Sequence, residues 1–350
     1  MTLPLLEQAS NARWSLALSF ADGVGPRRQR DLVERHGSAE GAACATMSGA
    51  QREQALARAD DLLARAQQAG IVATSPGDDL YPADLLDLGD PPPVIFARGI
   101  HETLARTRVA IVGTRRPTPY GERVARNLAN ALARGGACVV SGMALGIDGE
   151  AHRGALEAEG ATVAILGTGV DVAYPASHRA LHRTILDKGL VLSEFEPGSP
   201  ARPGSFPRRN RIIAALAQLV IVVEAPERSG ALNTAEHALD LGRTVAAIPG
   251  PIDSGQSAGT NQLLRDGAAF IGSIGDALAL ASLTPVVHTQ SLEMNANERA
   301  VWDALSHGPL DVDSLTARTR LPARHCLAAV TALELAGAVD CELTGVIRRR

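Results

Sequence analysis

Arg108-Val109-Ala110-Ile111-Val112-Gly113-Thr114-Arg115-Arg116-Pro117 is a short apolar run that breaks directly into glycine, hydroxyl and guanidinium. Its valines and isoleucine are continuous rather than alternating with polar residues, which marks a strand covered on both faces. Similar runs begin near Ala137, Val163, Leu190, Leu219 and Thr244, at spacings of 25–29 residues. A β-α-β unit takes about 30 residues, so the cadence predicts six parallel strands joined by crossover helices. The intervening segments Gly121–Arg134, Ile147–Glu159, Ser177–Lys188, Asn210–Ala217 and Ala231–Leu241 have helical patterns. The fold class is therefore α/β, a Rossmann-like open parallel sheet.

The flanks read differently. Residues 1–70 form a domain of short helices, in which Leu16, Leu18 and Phe20 precede Gly23-Val24-Gly25-Pro26 and Leu32 and Val33 follow. That order fits a helix-hairpin-helix or a glycine-rich connector in a small bundle. Residues 71–283 hold the sheet, with Tyr81-Pro82 and Pro91–Phe96 as an extension upon it. A polar segment, 284–293, is the expected linker. Residues 294–350 predict helices over Asn297–Leu305, Ser314–Thr319 and Ala323–Ala336, a stop at Gly337 and a wing over Ala338–Arg350, together a winged helix.

Composition narrows the chemistry. The 350 residues exceed what one core usually spans, and 45% hydrophobic with 21% charged residues is globular. Aromatics are 3% of the chain, which disfavours a surface stacking many bases. A net charge of −4 means an anionic partner must meet a local patch. Lys188 is the only lysine, and arginine forks suit phosphate. Cys44, Cys138, Cys326 and Cys341 are scattered, so neither a zinc site nor a disulfide framework is expected. Glu7 and Arg13 interrupt the first apolar stretch and no long apolar window occurs, so neither a signal peptide nor a membrane span is expected, and the location expected is cytoplasmic.

In an open parallel sheet, ligands gather beyond the carboxyl ends of the strands. There the sequence places Gly113-Thr114-Arg115-Arg116, then Ser141-Gly142, then Gly167-Thr168-Gly169, then Ser193-Glu194. Glycines permit close backbone approach, helix starts offer N–H groups and arginines add charge, a combination suited to an oxyanion. Ordinary tight turns would also use these glycines. No Walker A run is present, and Val172 stands where a dinucleotide fingerprint needs glycine. Arg208, Arg209 and Arg211 with Asn210 form a basic run, with no acid from Ala201 through Val223, that reads as a track for a polyanion or as a solvated face. Arg179 would share that rim. Asp148 and His152, four apart, read as a helix cap with a hydrogen-bonded histidine before a catalytic pair. Glu224, Glu227 and Glu236 are the other candidate acids.

These motifs occur in a familiar order. Val112–Arg116 with Tyr120-Gly121, Ser141–Asp148 with Ala151-His152, Gly167–Asp171 with Tyr174-Pro175, Ser193-Glu194-Phe195, Phe206–Ala214, Val223-Glu224-Ala225 with Ser229-Gly230, Pro249-Gly250, Gly259-Thr260-Asn261 and Gly267-Ala268 together closely resemble the DNA-processing protein A (DprA/Smf) family over about 81–280. The flanks resemble its accessory domains, a sterile-alpha-motif-like helical domain and a winged helix. The resemblance implies a protein without catalytic residues, cofactor or metal that binds single-stranded DNA during natural transformation. It further implies protection of that strand, homodimers, and loading of RecA recombinase onto strands coated by single-strand-binding protein. Its phosphate-binding set would be Gly113, Thr114, Arg115, Arg116, Ser141, Gly142, Gly167, Arg179, Arg208, Asn210 and Arg211. Arg179 stands where the family often has lysine, and Ser229-Gly230-Ala231-Leu232 lacks a hydroxyl common there.

Two other classes fit parts of the chain. Nucleoside-monophosphate phosphoribohydrolases share the sheet, but their Pro-Gly-Gly-x-Gly-Thr-x-x-Glu run is replaced here by Ser229–Glu236 with fewer glycines. A duplex-DNA regulator would act through Arg324, His325 and Arg348–Arg350, although Leu327, Val330 and Leu333 explain that helix as core.

Overall fold

The structure, a computed structural model, describes residues 3–284, 294–335, 338–341 and 345–349. It divides into two compact units, Met1–Val286 and Val287–Arg350. The linker expected over 284–293 lies outside the described residues from 285 on, as does the stop at Gly337.

The first unit opens with α1 (Leu3–Ser19), α2 (Pro26–His36), α3 (Ala39–Thr46) and α4 (Gly49–Gln68). Proline is tolerated at the start of α2, where its missing N–H costs nothing. Ser48 and Gln51 form a reciprocal cap on α4. Leu16, Leu18, Leu62 and Ile71 pack in one cluster with Phe96, Leu166 and Val191, across the boundary expected near residue 70.

The sheet contains β1 (Val72–Thr74), β2 (Ile95–Gly99), β3 (Arg108–Val112), β4 (Cys138–Ser141), β5 (Ala161–Ile165), β6 (Leu190–Ser193), β7 (Leu219–Val222), β8 (Thr244–Ala247) and β9 (Ala269–Phe270). Their order is β1-β2-β6-β5-β4-β3-β7-β8-β9. The six expected strands are β3–β8, all parallel to one another. β9 extends them in parallel, and β2 and β1 add antiparallel pairs at the other edge. Successive residues of a strand face opposite sides. Thus Val109 and Ile111 join the cluster beneath α5 (Pro119–Arg134) and α6 (Ile147–Glu157). Ala110 and Val112 join the opposite one, beneath α8 (Ser205–Leu216) and α9 (Gly230–Asp240). Full burial of each such valine or isoleucine contributes roughly 1.5–3 kcal/mol. α7 (Arg179–Lys188), α10 (Ala258–Arg265) and α11 (Ile274–Leu280) complete this unit.

α8 begins at Ser205, ahead of the expected Asn210, because Pro207 lies in the first turn, where no intrahelical N–H is needed. Gly204 precedes it at φ 86°.

In the second unit, α12 (Ala296–Ala304), α13 (Val312–Thr319) and α14 (Ala323–Leu335) pack with β10 (Leu310–Asp311), β11 (Val339–Cys341) and β12 (Val346–Arg349). The strands form an antiparallel sheet ordered β10-β12-β11, and Val301, Leu315, Val330, Leu333 and Ile347 form its core. This is the winged helix. No helix among the described residues is long and apolar enough to cross a membrane.

Candidate functional site

Strand order reverses between β3 and β7. One half of the sheet runs outward from β3 through β4 to β6, the other from β7 to β9. Loops leaving two such strands diverge to opposite sides and leave a crevice at their carboxyl ends. A cavity of about 390 Å³ opens there, lined by Gly113–Arg116 on one side and Pro226 with Arg228–Ala231 on the other. Phe206, Pro207, Arg209 and Asn210 of α8 supply a further wall.

The two loops are tied together from below. Thr114 N–H donates to the Glu224 carbonyl at 2.7 Å. The Glu224 carboxylate accepts from Thr118 N–H at 2.9 Å and Thr118 Oγ1 at 2.6 Å. A Cβ on Gly113 would lie 2.6 Å from Ile147 and 2.8 Å from the Glu224 carbonyl, so glycine is required for this approach. Glu224 is thus a brace at the start of α5. Glu227 and Glu236 do not line the cavity.

Arg115 and Arg116 are exposed at the mouth, and among the described residues neither is paired with a carboxylate. The Arg115 guanidinium lies 5.2 Å from the centre of the Phe206 ring, within reach of a cation–π contact. Phe206 in turn meets Tyr174 with centroids 5.1 Å apart. Behind the ring is Gly167, where a Cβ would sit 2.9 Å from Phe206 Cδ1.

Beneath the mouth lie two buried groups of opposite charge, Arg209 and Asp148. Arg209 is 3% exposed and donates to the carbonyls of Gly142, at 2.5 Å, and Ile165. Burial pushes its pKa down to about 10, with Arg115 adding repulsion and Asp148 opposing. Asp148 is buried and accepts from the N–H groups of Gly142 at 3.2 Å and Ala144 at 3.4 Å. Burial raises its pKa, against the attraction of Arg209. Gly146, not Asp148, precedes the first turn of α6, so Asp148 staples the preceding loop rather than capping its helix. His152 is fully buried with Nδ1 2.7 Å from Thr162 Oγ1. Thr162 donates its proton to the Val139 carbonyl at 2.8 Å, so Nδ1–H must be the donor. Burial holds this histidine down to about 3. No metal-binding cluster occurs among the described residues.

The expected site residues therefore separate. Gly113, Thr114, Arg115, Arg116 and Asn210 line one cavity. The amides of Thr114 and Gly142 already donate inward, and the buried Ser141 hydroxyl donates to the Ile111 carbonyl at 2.7 Å. Gly167 backs Phe206. Arg179 is exposed at the start of α7 and does not line the cavity. Arg208 has a half-exposed side chain paired with Glu194 at 2.9 Å. The Arg211 side chain is 6% exposed and holds Glu194 at 2.6 Å and Asp90 at 3.5 Å. The run 208–211 is consequently not an exposed basic track. Its acids come from the end of β6 and from residue 90, which a search along 201–223 could not find. The sequence reading also missed Arg209 as the cavity floor, and Arg228, Thr234 and Gln256. Position after β7, across the switch from β3, was the available signal for the first turn of α9.

Residues 73–282 match the family model described as DNA recombination-mediator protein A, and residues 288–345 match the DprA winged helix domain. A putative DNA processing protein DprA of Mycobacterium tuberculosis is 40% identical over 342 residues, 91% of this chain and 86% of its own length. The Streptococcus pneumoniae DNA processing protein DprA is 44% identical over 206 residues, 58% of this chain and 71% of that one. The X-ray structure of the S. pneumoniae protein matches with a TM-score of 0.66 at 33% identity, covering 80% of this chain and 98% of that chain. The structure of DNA processing protein A from Helicobacter pylori, studied for its single-stranded DNA binding mode, matches with a TM-score of 0.55 at 33% identity, covering 61% and 97%.

Proposed function

Because the chain belongs to the DNA recombination-mediator protein A (DprA/Smf) family, whose work lies in DNA processing and recombination, we infer that it binds single-stranded DNA at the switch-point cleft and delivers it for strand exchange without breaking a bond. Arg115 and Arg116 carry the reading: two exposed guanidinium groups without carboxylate partners among the described residues, at the mouth of a cleft whose floor holds a third. Guanidinium groups on phosphates bind a strand without reading its bases. The absence of duplex geometry in the ligand suits a site made of one loop and one helix start rather than a groove-filling element.

Among the described residues, Asp148 is the one carboxylate lining the cleft. Two amides clasp it, and Glu224 is spent on Thr118, so neither is placed as a general base for glycosidic cleavage. This supports the binding reading over hydrolysis. The finer role follows the resemblance: a cytoplasmic homodimer that shields incoming strands and loads RecA onto DNA coated by single-strand-binding protein.

Fluorescence anisotropy with oligo-dT and with duplex of equal length, at two salt concentrations, tests the binding reading. Single strands should bind more tightly, with affinity falling steeply as salt rises. Arg115→Ala should weaken single-strand binding about tenfold and flatten the salt slope by about one unit or less. Unchanged binding by the folded variant would reject the assignment. RecA filament growth on coated strands, with and without the protein, tests the loading step.

A further inference from the structure

The floor of the cleft carries groups that binding at its mouth does not use. Arg209 lines the cavity although nearly all of it is buried, and its Nε–H has no hydrogen-bond partner among the described residues. A buried cationic donor without an acceptor is costly. Among the described residues, Arg115, Arg116, Arg209 and Arg228 line the cavity against the single carboxylate of Asp148, which is already clasped by two amides. The opposite wall is the start of α9, whose positive end faces the cavity at Ser229, Gly230 and Ala231, the Ala231 N–H being capped by the Ser229 hydroxyl at 3.3 Å. Asn210 fixes this wall by donating to the Gly230 carbonyl at 3.1 Å.

Shape restricts the ligand further. Val112, Ile213 and Thr234 are buried side chains of the lining, which close the cavity toward the sheet. Its volume of about 390 Å³ is near the small end of ligand pockets, roughly 300–1,000 Å³, room for one nucleotide. A cavity closed at its floor and open at its mouth can seat one terminal group while the rest of a strand stays outside. A phosphodiester carries one negative charge, and a phosphomonoester about −1.5 to −2 at pH 7, the better match for an excess of cations.

We propose that the cleft holds a phosphomonoester dianion, either the terminal phosphate of a DNA strand or that of a free mononucleotide, seated between Arg209, Arg228 and the first turn of α9. The following phosphates of a bound strand then leave past Arg115 and Arg116, so the proposal rests on the strand-binding reading.

The test uses the full chain and internally labelled oligo-dT of one length, bearing a 5′-phosphate, a 3′-phosphate or hydroxyls at both ends. Thymidine 5′-monophosphate, inorganic phosphate and thymidine serve as competitors. One phosphorylated strand should bind about tenfold tighter than the hydroxyl-ended one, and the monophosphate should displace it where thymidine does not. Displacement without an end preference identifies the free nucleotide as the source. The preference should vanish in Arg228→Ala, chosen because Arg209→Ala would leave Asp148 buried without its countercharge. Equal affinity for all three strands with no displacement by the monophosphate overturns the proposal, while salt-dependent binding of the hydroxyl-ended strand still upholds the strand-binding reading. Binding of the monophosphate with no strand binding overturns that reading and keeps the cleft assignment.

Discussion

Loop 113–116 and helix α8 carry the same side chain to opposite ends. Arg115 and Arg116 stand in solvent, and among the described residues no carboxylate is paired with either. Arg209 and Arg211 are buried, one held by two carbonyls and drawn toward Asp148, the other clamped on Glu194. A guanidinium in water keeps its charge available for a passing phosphate. One inside the protein spends its charge on internal acceptors, and removing it leaves those acceptors stranded. Arginine count therefore says little about DNA contact, and solvent access with the location of the acids decides it.

The sharpest way to break this contrast is to remove one arginine from each region. Arg211→Ala leaves the Glu194 carboxylate, whose side chain is 1% exposed, with Arg208 as its remaining partner. Loss of one partner from a buried pair costs about 3–5 kcal/mol, and the retained Arg208 places this variant at the lower end. Arg115→Ala should change stability by no more than about 0.5 kcal/mol while weakening strand binding. Urea unfolding and anisotropy on both proteins give the four numbers. A stable Arg211→Ala protein that no longer binds DNA would make α8 a contact surface and erase the distinction.

How far the sequence could reveal this follows from the same physics. The strands β3–β8 were legible because both faces of each are covered, so their valines and isoleucines run without interruption. β1 and β9 were not recognised as sheet members, since three and two residues carry no period. The loop 113–116 was legible as a site because glycine, threonine and arginine follow a strand in immediate succession. The fate of Arg211 was not, because its partners, Glu194 just after β6 and Asp90, are brought to it only by folding. Ser141 and Gly142 were assigned to the ligand because they stand at the carboxyl end of β4, yet the Ser141 hydroxyl donates to the Ile111 carbonyl and the Gly142 N–H to Asp148.

The buried region also has a pH signature that the exposed loop lacks. His152 is held down to about 3, first by burial and then by the neighbouring charges of His178, Arg209 and Arg153. Its unfolded counterpart titrates near 6.5. The unfolded chain therefore takes up a proton that the folded one refuses, so stability is lost as pH falls below about 6.5 and continues to fall toward about 3. Between pH 7 and pH 5 this amounts to about 2 kcal/mol. Asp148, with its raised pKa, works in the opposite sense, and comparison with His152→Asn cancels it. The variant's stability should decline less over that interval than the natural protein's, measured by urea midpoints at each pH. Parallel decline would mean that His152 is protonated in the fold and that the charge beneath the cleft is larger than described.

The smallest expected effect bears on how the exposed loop is oriented. Arg115 rests over Phe206, and Gly167 lies behind the ring, where a Cβ would fall only 2.9 Å from Phe206 Cδ1. Gly167→Ala should push the ring outward by a few tenths of an ångström. Because Phe206 is only partly buried, the ring can yield without a measurable loss of stability. A cation–π contact at an exposed site is worth about 0.5–1 kcal/mol, so strand affinity should fall about two- to fivefold. If the ring acts by holding Arg115, the loss must disappear when Gly167→Ala is made in Arg115→Ala protein, since no cation remains to be misplaced. If it persists there undiminished, Phe206 touches the strand itself, and the exposed region gains a stacking surface beside its charges.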